Sequence, residues 1–96
     1  MTRSPRLEIE YCRKCGWLPR AGRMEQELLT TFEMELGEVA LVPGTDGIFE
    51  VRVNGATIWS RHEESRFPEL RELKDLIGDR IASGKALGQL DSRTLQ

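Results

Sequence analysis

Residues that commonly carry chemistry are scarce in this chain, which has two cysteines and one histidine among its 96 residues. Two thiolates and His62 fall short of the four ligands that structural zinc requires, so a thiolate zinc site would need a second copy of the chain. A disulfide scaffold is equally poorly served. A bridge across a two-residue spacer closes so short a loop that chain entropy assigns it only about 2 kcal/mol. Long apolar runs are missing as well, and no stretch approaches the span of a membrane helix. Met1 to Arg6 carries two arginines with no apolar h-region behind them, so no secretory signal or membrane anchor is expected, and the expected compartment is the cytoplasm. A positive excess is absent too: the formal net charge is −2, with both signs spread along the chain, which argues against nucleic acid as a partner. There is no internal repeat and no low-complexity tract. What remains, 39% hydrophobic and 31% charged residues over a length suited to one core, describes a single globular domain over residues 1–96.

The order of elements is legible from periodicity. Leu7, Ile9 and Tyr11 alternate with Glu8 and Glu10, the pattern of a strand with one wet face. Ala21, Met24, Leu28, Phe32 and Leu36 recur at helical spacing, with Pro19 suited to a first turn and Gly37 to a stop. Val39 to Val42 is a short apolar run, and a strand that follows a strand and a helix is expected to lie parallel to the first. Ile48 to Val53 and Ala56 to Ser60 flank Asn54-Gly55, a strong signal for a two-residue hairpin turn. A regular hairpin sets Val53 opposite Ala56 and Val51 opposite Ile58, leaving Glu50, Arg52, Thr57 and Trp59 on the polar face. A last helix is expected from Pro68, with Leu70, Leu73, Ile77 and Ile81 on one side until Gly84; residues 85–96 read as a tail. The predicted architecture is α/β and thioredoxin-like, β-α-β-β-β-α, a four-stranded mixed sheet with both helices on one face.

Cys12 and Cys15 fall between the first strand and the first helix. Unpaired backbone N–H groups at a helix start favour thiolate over thiol, and Arg13, Lys14 and Arg20 add positive potential nearby. A thiol pKa brought from about 8.5 to about 7 raises the thiolate fraction at neutral pH from roughly 3% to roughly 50%. One sulfur can then attack a disulfide, and the other resolves the mixed intermediate by closing an internal bridge. Trp17 either covers the cysteines or offers a docking surface, or else packs as a helix-start aromatic. Trp59, on the polar face, is a candidate partner surface. His62, beside Glu63 and Glu64, reads as a solvated loop residue, and Pro43 to Gly47 as a connection without phosphate-loop spacing. No cofactor and no resident metal are expected.

The chain resembles the selenoprotein W, T and H family, in particular the short bacterial Rdx members that carry cysteine throughout. The resemblance rests on Tyr11-Cys12-Arg13-Lys14-Cys15-Gly16-Trp17 with Arg20-Ala21, on Pro43-Gly44 followed by Gly47-Ile48-Phe49-Glu50-Val51, on Ile58-Trp59-Ser60-Arg61, on Phe67-Pro68-Glu69 with Leu73-Lys74, and on Lys85-Ala86-Leu87-Gly88. It implies a thioredoxin-like fold and a role in redox homeostasis, with glutathione, peroxides or protein disulfides as substrates. Selenocysteine members carry selenium at the position matching Cys15, whereas thioredoxin attacks with the residue matching Cys12. Helix geometry favours Cys12 as the open nucleophile toward disulfides, with Cys15 as the peroxide-reactive sulfur. The expected chain is a monomer or weak dimer working as a thiol-disulfide oxidoreductase. Competing readings are a redox-sensing module that binds a protein partner, and a zinc-linked dimer through Cys12 and Cys15.

Overall fold

A computed structural model describes residues 4–82. Strand β1 (Arg6–Cys12) leads to helix α1 (Leu18–Thr31), then to β2 (Glu38–Gly44), β3 (Phe49–Val53) and β4 (Ala56–Ser60), a one-turn helix α2 (Arg61–Glu64) and helix α3 (Leu70–Ala82). The four strands form one sheet in the order β2-β1-β3-β4. β1 pairs in parallel with β2 and antiparallel with β3, so the sheet is mixed and α1 is the crossover between its two parallel strands. The tail expected at 85–96 lies outside the described residues.

Alternation along β1 and β3 sorts the sheet into two faces. Leu7, Ile9, Tyr11, Phe49, Val51 and Val53 are buried in one cluster with Ala21, Met24 and Leu28 of α1 and Leu73 and Ile77 of α3. Both long helices therefore cover the same face. Each fully buried Leu, Ile or Phe there contributes roughly 2 kcal/mol by leaving water. On the opposite face Arg52 bonds the carboxylates of Glu8, Glu10 and Glu50 at 3.1, 3.0 and 3.1 Å, while Arg6 engages Glu8 and Glu38. Among the described residues, this sheet face is thus closed by charge pairing.

Four boundaries differ from the sequence reading, each for a local reason. α1 stops at Thr31, since Phe32 leaves helical geometry with φ −113° and ψ 38°. Phe32 and Leu36 still pack on the core from a further turn, in which the Leu36 N–H donates to the Phe32 carbonyl at 2.9 Å. α3 starts at Leu70, two residues after Pro68, because the Glu72 carboxylate accepts the Glu69 N–H at 2.9 Å and caps the helix there. α2 is too short for periodicity to show, and exposed His62 sits on it.

The fourth difference is in the hairpin. Asn54 and Gly55 take φ of 48° and 87°, the positive values that the tight turn needs, and Val53 pairs with Ala56 as expected. A bulge then intervenes, so Val51 pairs with Trp59 instead of Ile58. One extra residue reverses the side that each following residue takes. Trp59 is consequently 6% exposed and part of the core, its indole N–H donating to the Arg66 carbonyl at 3.3 Å. The placement of Trp59 on the polar face, and with it a partner surface at Trp59, is corrected.

Candidate redox site at the end of the sheet

Cys12 is the last residue of β1, and its surroundings fix it from two sides. Its N–H donates to the Ile48 carbonyl at 2.8 Å, and the next N–H, of Arg13, donates to the Gly44 carbonyl at 3.2 Å. The strand end is thereby tied to both neighbouring chain segments. Gly44 is required by close approach, since a Cβ there would meet Glu10 Oε2 and Ile48 Cγ2 at 2.7 Å. The Pro43 to Gly47 connection, read from sequence as a plain linker, leads into Ile48, whose carbonyl is presented to Cys12.

Residues 13–16 turn away from the sheet, with the Gly16 N–H donating to the Arg13 carbonyl at 3.4 Å and Gly16 at φ +77°, a backbone that favours glycine. This turn brings Cys15 back to Cys12, and the two sulfurs are bonded in a disulfide whose Cα atoms lie 5.4 Å apart, an ordinary span for a bridge. The pair is asymmetric. Cys12 is 2% exposed, whereas Cys15 faces solvent. The expectation that Cys12 holds the more open end is thus reversed: the ladder buries the residue that ends the strand, and the turn lifts its partner out. α1 begins at Leu18 behind Trp17, and the Ala21 N–H donates to the Trp17 carbonyl at 3.0 Å.

Trp17 is half-buried and packs edge-on against Phe67, with ring centres 4.7 Å apart, and against Phe49 at 6.4 Å. Phe67 closes on Phe49 at 5.2 Å, so three rings form the floor behind the disulfide turn. Two guanidiniums lie on this floor. Arg20 sits 3.9 Å from the centre of Phe67, and Arg61 sits 4.9 Å from Trp17 and 5.3 Å from Phe67. Arg13 and Lys14 are exposed on the turn itself. The structure thus gathers Cys12, Cys15, Arg13, Lys14, Gly16, Trp17 and Arg20 at one end of the sheet and leaves Trp59 in the core. Arg61 and Phe67 were not singled out as site residues, although both stand in motifs that carry the family resemblance. Among the described residues, no three His, Cys, Asp or Glu side chains gather as a metal site, and no helix is long and apolar enough to cross a membrane.

A vicinal cysteine pair in the turn between a central strand and a helix, at the end of a mixed four-stranded sheet, defines a thioredoxin-like protein of the redox class. The chain belongs to the Rdx family, whose model matches residues 6–79. It is similar to a Bordetella parapertussis protein of known crystal structure, at 52% identity and a TM-score of 0.78 over 80% of this chain and 98% of that one. It is also similar to a selenoprotein W-related protein from Vibrio cholerae, at 46% identity and a TM-score of 0.79 over 81% of this chain and 98% of that one. No curated protein matches the chain.

Proposed function

We propose that this protein is a cytoplasmic thiol-disulfide oxidoreductase that cycles Cys12 and Cys15 between dithiol and disulfide in cell redox homeostasis. The observation that carries the reading is the bonded pair of one buried and one solvent-exposed cysteine. In the reduced protein the Cys15 thiolate attacks one sulfur of a substrate disulfide, and the departing half leaves as a thiolate. Cys12 then displaces the second half and closes the internal bridge, so two electrons pass to the substrate. A thiol reductant such as glutathione or a second dithiol protein returns the pair to the reduced state. A peroxide would instead oxidise Cys15 to a sulfenic acid, which Cys12 condenses with, releasing water.

The cations around the turn favour this chemistry by stabilising thiolate. The partner-binding alternative loses its anchor with Trp59 buried. The test is a redox titration read by alkylation and mass spectrometry. One two-electron transition linking Cys12 to Cys15 is expected. Failure of the pair to bridge under any oxidant would end the proposal.

A further inference from the structure

Asn54 is the one asparagine in the sequence, and a glycine follows it. Asparagine is thermolabile because its side-chain amide carbon is open to attack by the next backbone nitrogen. Glycine makes that attack easiest, since it has no Cβ to screen the nitrogen and leaves the backbone free to rotate. Both residues are exposed at the tip of the β3–β4 hairpin, and a Cβ built on Gly55 meets nothing within 4 Å. Water and base therefore reach this peptide bond directly. Asp46-Gly47 has the same backbone order, but its carboxylate is the poorer electrophile and has no ammonia to lose.

What sets Asn54 apart from an ordinary exposed Asn-Gly pair is how it is held. Its Oδ1 accepts the Arg6 N–H at 2.7 Å, and its own N–H donates to the Arg6 carbonyl at 2.7 Å. Its Nδ2 donates to Ser4 Oγ at 3.5 Å. The side chain thus reaches across to the start of β1, and the two bonds to Arg6 fasten the hairpin to that strand just before Leu7 pairs with Val53. Closing Cγ onto the Gly55 nitrogen takes Oδ1 away from the Arg6 N–H and twists the turn. The closed clamp therefore opposes the reaction, each hydrogen bond on a scale of about tenfold.

We infer that Asn54 is a site of spontaneous modification, an amide that cyclises onto Gly55 when its clamp on Arg6 opens and whose isoaspartyl product no longer closes that clamp. Hydroxide takes the Gly55 amide proton, and the nitrogen bonds to Cγ. The Cγ–Nδ2 bond breaks and ammonia leaves with a proton from water, giving a succinimide; nothing is oxidised or reduced. Water then opens the ring at either carbonyl. Opening at Cγ puts an aspartate at position 54, and its carboxylate still accepts the Arg6 N–H. Opening at the main-chain carbon leaves Gly55 bonded through Cγ, which adds a carbon to the backbone of a turn built for two residues. The register set by that turn and the reach to Arg6 are then lost together.

The experiment keeps the full chain, oxidised at Cys12 and Cys15, in mildly alkaline buffer beside a blocked peptide of residues 52–57. Conversion of Asn54 is followed by peptide mapping, with the two products separated by chromatography. Incubation lasts about one hundred peptide half-lives, the span that two such hydrogen bonds impose. The chain is expected to convert about ten to one hundred times more slowly than the peptide. Its isoaspartyl form is expected to exchange the amide hydrogens of Arg6 and position 54 at least about tenfold faster than the unmodified chain. Asn54→Asp, which matches the other product, should keep both rates within about twofold. Conversion as fast as the peptide, an Asn54 still intact at the end, or an isoaspartyl form that exchanges like wild type each overturns the inference. So does an Asn54→Asp chain that exchanges like the isoaspartyl form.

Discussion

The backbone N–H of Cys12 donates to the carbonyl of Ile48 at 2.8 Å, and this bond holds the first cysteine of the pair inside the sheet. Cys12 is 2% exposed as a result, while Cys15 stands in the turn beyond. In the dithiol cycle we propose, attack on an incoming molecule therefore falls to Cys15 and resolution to Cys12. After reduction, iodoacetamide is expected to label Cys15 at least about ten times faster than Cys12, since reactivity follows exposure as well as thiolate character. Peptide mapping after timed quenching reads the ratio. Faster labelling of Cys12 would invert the assigned roles.

Gly44 sets the other edge of the same corner. Its carbonyl accepts the Arg13 N–H, and it pairs with Cys12 across the parallel ladder. A methyl group there would press on Ile48 Cγ2 and Glu10 Oε2 at 2.7 Å. Gly44→Ala is expected to cost about 1–3 kcal/mol by overpacking, read as a lower urea midpoint. The displaced Ile48 and Arg13 should also raise the labelling rate of Cys12. A variant with wild-type stability and wild-type labelling would show that the corner tolerates a Cβ.

Trp59 packs opposite Val51 in the core and hands its indole N–H to the Arg66 carbonyl. Trp59→Ala is expected to destabilise the protein by about 3–5 kcal/mol, the range for emptying a large aromatic site. Equilibrium unfolding checks it. A change under about 1 kcal/mol would be the behaviour of a surface residue and would return Trp59 to the polar face.

Trp59 also marks where sequence reasoning ran out. The alternation of Leu7, Ile9 and Tyr11 and the Asn54-Gly55 turn are local signals, and the strand, the turn and the first hairpin pair follow from them. Ala56-Thr57-Ile58-Trp59 is different, because Ile58 and Trp59 are both apolar and either can face inward. The bulge is decided by what lies beneath the sheet, which no spacing reveals. The redox turn was legible because its chemistry is compressed into Cys12 to Cys15. Arg61 over Trp17 joins residues far apart in the chain, brought together only when β4 ends beside the start of β3. The relative exposure of the two sulfurs was likewise hidden, since it depends on the carbonyls of Gly44 and Ile48.

Acid stability follows from two depressed carboxylates. The Arg6 guanidinium, followed by that of Arg52, holds the Glu8 carboxyl below the usual carboxylate range. The Arg66 guanidinium, at 2.6 and 3.0 Å, and then the Glu69 N–H hold Glu72 down at about 2. In the unfolded chain both return to about 4.3. Below that value the unfolded state binds protons that the native state still refuses, so the contribution is intact above about pH 4.3 and is lost progressively toward pH 2. Urea midpoints should be level from pH 7 to about 5 and then fall through pH 4, 3 and 2.5. The NMR titration of the Glu72 carboxyl should centre near pH 2 in wild type and move up toward about 4 in Arg66→Gln. A Glu72 titration at the ordinary glutamate value in wild type would mean that Arg66 does not hold it in solution, and a urea midpoint that stays level to pH 2.5 would remove both carboxylates from the account of acid stability.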